Sequence, residues 1–140
     1  QQLNFFFLGD RKNDGLYVVD LPGYGYAKVS KKIAKDWVGL MREYLRGRPN
    51  LRRVFVLVDG RHGLKDSDKE LMAMLDKTAV SYQIILTKSD KVKISEMEKT
   101  LLNTQKSIAK NVAAHPIILI TSSVKKYGLD ELRGIVADLT

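Results

Sequence analysis

The chain has no cysteine, two histidines, one tryptophan and three prolines in 140 residues. Without cysteine there is no disulfide framework and no thiolate metal site, so a reducing compartment, the cytoplasm, is the expected location. The two histidines lie far apart in sequence and give little support for a zinc site. No apolar run is long enough to span a bilayer. The early stretch LNFFFLG is short, lacks a basic leader and has no small-residue cleavage site, so it is a strand rather than a signal peptide. Acidic residues are outnumbered: 16 Asp and Glu stand against 24 Lys and Arg, for a net charge of +8 and a pI of 9.7. Such a balance draws nucleic acid or an anionic membrane surface, with an affinity that falls with salt, although many basic soluble proteins have no such partner.

What is present is ordinary globular material, 44% hydrophobic and 29% charged, and the length suits one compact domain, residues 1–140. Strand-like and helix-like segments alternate. Leu3–Leu8 and Leu16–Asp20 are strands, and the turn residues Gly9, Asn13, Asp14 and Gly15 between them predict an antiparallel hairpin. From Ser30, a plausible N-cap, the period becomes helical, with Ile33, Trp37, Leu40, Met41, Tyr44 and Leu45 on one face and GRPN at Gly47–Asn50 as the stop. Arg53–Asp59 is a near-continuous apolar strand, expected where both sheet faces are covered. Ser67–Glu70 has the form of a capping box, followed by Leu71, Met72 and Leu75. Val80–Lys88 is a second buried strand. Ser95–Glu98 is another capping-box pattern, opening a long helix with Met97, Leu101, Leu102, Ile108, Ala109 and Val112 inward. Pro116–Ser123 is a strand, and Gly128–Leu139 a last helix facing inward with Leu129, Leu132, Ile135, Val136 and Leu139. This alternation predicts an α/β fold with a mostly parallel sheet and helices on both faces.

In such sheets ligands bind at the carboxyl ends of the strands, which places the chemistry just after Asp20, Asp59, Thr87 and Thr121. After the second strand comes DLPGYGYA. Asp20 there can hold a magnesium ion through water. Gly23 lets a backbone N–H approach a phosphate oxygen. A plain strand-to-helix turn uses the same residue types. After the fourth strand comes TKSD. A carboxylate at Asp90 can accept hydrogen bonds from guanine N1–H and its exocyclic amino group, a pair that adenine does not offer. The stem of Lys88 can lie along base and ribose, and Thr87 can tie neighbouring loops together. Ser122 and Ser123, after the fifth strand, are small enough for the backbone to close on a base edge. Each motif alone is also a polar turn; the information is in three of them occurring in order at successive strand ends.

That set resembles the third, fourth and fifth motifs of P-loop GTPases. DLPGYGYAKVSKK, VDGRHGLKDSD, TKSDK and TSSVKKYGLDEL together resemble the EngB family of bacterial GTPases over essentially the whole chain. The resemblance implies a P-loop GTPase-type three-layer α/β/α sandwich with one antiparallel edge strand. It also implies GTP and GDP as ligands with Mg2+, slow GTP hydrolysis, and a part in large ribosomal subunit assembly and cell division. Carried over by position, Asp20 would be the water-mediated magnesium partner and Gly23 would offer its N–H to the γ-phosphate. Thr87, Lys88 and Asp90 would hold guanine, with Ser122 and Ser123 closing over the base. Many GTPases carry Gln after the Asp-x-x-Gly glycine to orient the attacking water. Here that position is Tyr24, so slow intrinsic hydrolysis is expected.

The phosphate loop itself, Gly-x-x-x-x-Gly-Lys-Ser/Thr, is missing. In the family it precedes the position of Gln1, together with a first strand, a first helix and a switch threonine. The family topology puts that strand between those of Leu16–Asp20 and Arg53–Asp59. Its absence would leave two unpaired edges and an open core. The expectation is therefore a fragment of a longer protein that folds poorly and is inactive by itself.

Lys28, Lys31, Lys32 and Lys35 crowd the start of the second segment's helix, against the helix dipole, which favours anions there. With Arg42, Arg46, Arg48, Arg52 and Arg53 they fit a phosphate-rich partner such as ribosomal RNA, or simply a solvated basic face. Tyr24 and Tyr26 could stack on bases. His62 and Arg61 read as loop structure and Trp37 as core. The first reading is a GTP-dependent switch acting on the ribosome, with neither membrane nor DNA as partner. Its rival is a non-catalytic RNA-binding module that has lost nucleotide binding. An adenine-nucleotide enzyme conflicts with Asp90.

Overall fold

The computed structural model describes residues 3–10, 15–21 and 31–140. Element order follows the alternation of the sequence: β1 (Asn4–Leu8), β2 (Leu16–Asp20), α1 (Lys31–Leu45), β3 (Val54–Asp59), α2 (Asp66–Lys77), β4 (Tyr82–Thr87), α3 (Ile94–Ile108), β5 (Leu119–Ile120) and α4 (Leu129–Ala137). β1 and β2 form the expected antiparallel hairpin, in register from Asn4–Asp20 to Leu8–Leu16. β3, β4 and β5 form a parallel sheet in that order. Among the described residues the two sheets are separate, and β2 does not pair with β3.

The core lies on one face of the parallel sheet. Val56, Val58, Tyr82, Ile84 and Leu86 point into it and meet Met41, Tyr44 and Leu45 of α1, Leu71, Met72 and Leu75 of α2, and Met97 and Ile108 of α3. β4 is buried along Tyr82–Leu86 because it has a strand on either side. β3 has the same apolar composition but a free edge, and Leu57 is 62% exposed. Composition therefore predicted cover on both faces of β3, and at Leu57 the second face is open. Similarly, Leu129, Leu132, Ile135 and Val136 of α4, and Leu139 just past its end, are half-buried rather than core.

Other sequence expectations shift in detail. Leu40 and Leu102 are exposed although they fit the helical stripes, and Val112 lies beyond the end of α3 in solvent. Thr104 is buried instead, its hydroxyl donating to the Thr100 carbonyl at 2.7 Å. Ser67 and Ser95 are not N-caps; each falls inside the first helical turn, and the caps are Lys65 and Lys93. At α2 the buried Asp68 carboxylate accepts the Lys65 N–H at 2.8 Å, satisfying a donor that the helix start leaves open. The strand expected over Pro116–Ser123 shortens to Leu119–Ile120. Before it, the buried Gln83 side chain donates to the Ile117 carbonyl at 3.0 Å. α1 ends before Gly47, whose φ of 70° is the left-handed conformation that terminates helices. Ser30 lies outside the described residues, as do the side chains of Ile33 and Trp37.

Candidate functional site

Parallel strands β3, β4 and β5 end side by side, so the loops that leave them share one edge of the sheet. Backbone hydrogen bonds tie these loops together. The Gly60 N–H donates to the Thr87 carbonyl at 2.8 Å and the Ser89 N–H to the Thr121 carbonyl at 3.1 Å. The Thr87 hydroxyl donates to the Val58 carbonyl at 3.3 Å, a bond between the ends of β4 and β3. A Cβ on Gly60 would press on the Thr87 carbonyl at 2.7 Å, so glycine is what permits the two loops to approach this closely.

Lys88 opens a short 3-10 turn, Ser89–Lys91, from a left-handed backbone conformation, φ 59° and ψ 38°. Asp90 follows, exposed at the surface. Its carboxylate accepts a 2.7 Å hydrogen bond from the hydroxyl of Ser122, which is 1% exposed. This bond, ahead of other contributions, holds the Asp90 carboxyl below its ordinary pKa of 3.8. Asp90 is therefore an anion at neutral pH, with one oxygen fixed by Ser122. The Ser122 backbone is itself clamped, exchanging two 3.0 Å hydrogen bonds with Tyr127, and its hydroxyl accepts the Lys125 N–H at 3.1 Å. Gly128 makes the return possible: its φ is 72°, and a side chain there would collide with the Ile120 carbonyl.

Thr87, Lys88, Asp90 and Ser122 thus come together. Ser123 is the exposed neighbour of Ser122. Asp20 is exposed at the end of β2, in the separate hairpin. Gly23, Tyr24, Tyr26 and Lys28 lie outside the described residues. Among those described, no group of three His, Asp or Glu side chains could hold a metal. Asp20 is a lone carboxylate at this point of the structure.

Two residues of this edge went unnoticed as chemistry in the sequence. Asp59 accepts from Arg61 at both carboxylate oxygens, 3.0 Å from Nε and 2.7 Å from Nη2, and from the Arg61 N–H at 3.0 Å. Lys88 Nζ lies 3.2 Å from the same carboxylate. Arg61, more than anything else, drives the Asp59 carboxyl far below the usual range. The available signal was the position of Asp59 at the carboxyl end of β3; nothing in the sequence disclosed the partners. Arg53 also departs from expectation. Its guanidinium turns inward to the buried Gln83 at 2.9 Å and so leaves the solvated basic set. Lys32, Lys35, Arg42, Arg46 and Arg52 are exposed.

Curated relatives match this chain from end to end. The probable GTP-binding protein EngB of Bartonella tribocorum is 50% identical over 97% of this chain and 66% of its own length. That of Rhodospirillum rubrum is 51% identical over 99% of this chain and 61% of its own length. For Caulobacter vibrioides the figures are 52%, 99% and 59%. The chain belongs to the EngB family. It spans 59% to 66% of the length of these EngB relatives. No protein-family model matches it. Among solved structures, elongation factor SelB from Methanococcus maripaludis, in complex with the GTP analogue GppNHp, superposes with a TM-score of 0.72 at 21% identity, over 98% of this chain and 27% of that one. A bacterial selenocysteine-specific elongation factor gives 0.72 at 17% identity, over 99% of this chain and 22% of that one. At these identities the likeness concerns the fold, and the fold class of this EngB-family chain is that of the P-loop GTPases.

Proposed function

We propose that this chain carries the guanine-recognition half of a GTP-binding switch protein. The observation behind this reading is the Asp90 carboxylate, ionised and held by buried Ser122 beside Thr87 and Lys88. A fixed carboxylate suits the two adjacent N–H donors of guanine and leaves adenine without a match. The names of the EngB relatives agree with it. Within the complete protein, Asp20 is the water-mediated Mg2+ partner, Gly23 meets the γ-phosphate, and Ser123 helps to close over the base. GTP hydrolysis is slow because Tyr24 occupies the position of a water-orienting Gln. The exposed cations of α1 and the loop after it favour a phosphate-rich partner, and with the family resemblance they point to ribosomal RNA of the large subunit, with a consequence for cell division. The setting for this role is the cytoplasm.

The test is a titration of the full-length protein with fluorescent GDP, with the ADP analogue as control. Saturable binding of GDP alone is expected, and Asp90→Asn should abolish the preference. Binding of neither nucleotide, together with retained RNA binding, would shift the function to a non-catalytic RNA-binding module.

A further inference from the structure

We infer that Asp59 is a positioning residue for Lys88: it fixes where Lys88 carries its charge and so sets the affinity of the neighbouring subsite for guanine nucleotides. The inference rests on the proposed guanine site. It does not follow from the motif TKSD, since Asp59 belongs to a different strand.

Lys88 has a long, half-exposed side chain, 51% accessible, and a free lysine of this kind samples many rotamers. Its backbone is already pinned by the left-handed turn and by the bond from Gly60 to the Thr87 carbonyl. The ion pair to Asp59 at 3.2 Å pins the other end. Asp59 can serve as an anchor because it does not move freely. Three hydrogen-bond donors of Arg61 meet its carboxylate, and the His62 and Gly63 N–H groups both donate to its own carbonyl at 3.0 Å. One carboxylate therefore faces two cations. Arg61 engages both oxygens and takes most of the negative charge, which leaves Lys88 oriented but not neutralised. An ammonium in that state can still act on electronegative atoms of a bound nucleotide. Stability alone is a poor reason for the cluster. Partly exposed ion pairs contribute little to stability, and bringing a second cation to one carboxylate adds repulsion.

The experiment is a double-mutant cycle in the full-length protein, read as Kd for fluorescent GDP. Asp59→Asn keeps an oxygen for the Arg61 N–H, and so the loop's turn, but loses the charge. It should weaken GDP binding by about three- to tenfold, the coupling expected between residues in contact. In a Lys88→Met background the same change should have no further effect. Undiminished loss in that background would overturn the inference, because Asp59 would then act through loop shape. So would an unchanged Kd for Asp59→Asn. Asp59→Glu, run through the same cycle, serves if the Asn variant melts too low to titrate, and the same decision applies. A wild-type protein that binds no GDP would remove the guanine reading itself. A binding wild type with an additive cycle would remove the positioning role alone.

Discussion

Replacing Gly60 by alanine tests how tightly the loops after β3 and β4 are joined. Gly60 is buried, and its backbone is not in the left-handed region, so an alanine there would meet no intrinsic backbone strain. The obstacle is space. The added Cβ would lie 2.6 Å from Met97 Cε and 2.7 Å from the Thr87 carbonyl oxygen. The methionine tip can swing aside; the carbonyl cannot, because it accepts the Gly60 N–H at 2.8 Å. Overpacking of this kind costs about 1–3 kcal/mol. The stiffer unfolded chain returns about 0.4–1 kcal/mol. The difference leaves a net destabilisation of about 1–2 kcal/mol. For a domain of about 150–250 residues this lowers Tm by about 2–8 °C. The assay is thermal unfolding of the full-length protein followed by circular dichroism, with and without GDP. Because the displaced atom is the carbonyl of Thr87, nucleotide affinity should fall as well. Met97→Ala in the same background should restore none of the affinity, because the carbonyl and not the methionine tip is what resists. A Gly60→Ala protein with unchanged Tm and unchanged GDP affinity would refute the reasoning, since it would mean that the loops are not in contact through this carbonyl.

Further expectations concern the same edge of the sheet. Ser122→Ala removes the hydroxyl that fixes Asp90, so guanine affinity should drop about tenfold with little change in Tm, as measured by GDP titration beside a melt. Gly128→Ala combines a left-handed backbone with a clash against the Ile120 carbonyl and should lower stability by about 2 kcal/mol or more, measured by urea unfolding. The depressed Asp59 pKa also fixes a pH dependence. Unfolded Asp59 takes up a proton near 3.8 while the folded group stays ionised, so stability is gained above that pH and lost as pH falls below it. The acid limb of an unfolding-versus-pH curve should therefore be shallower below about pH 4 in Asp59→Asn than in wild type. Identical limbs would show that the Arg61 pair does not persist in solution.

The sequence by itself determined the order of elements and the residues at the strand ends. Apolar runs such as Tyr82–Leu86 and the period around Met41, Tyr44 and Leu45 are local signals, set by repeat lengths of two and 3.6 that any short window displays. The placement of Asp90 and Ser122 after successive strands was also legible, because parallel connections return every strand end to one edge. Burial was less legible. Leu57 and Ile84 look alike in sequence, yet Leu57 is 62% exposed and Ile84 is fully buried, since cover depends on which element lies opposite. The partners of charged groups were invisible for the same reason. Arg53 has the composition of a nucleic-acid contact and instead binds buried Gln83, and Arg61 and Lys88 meet on one carboxylate across two loops. The Arg53–Gln83 and Asp59–Lys88 contacts join residues of neighbouring strands and exist only once the parallel sheet has set those strands in register, whereas the Asp59–Arg61 pair is local to one loop.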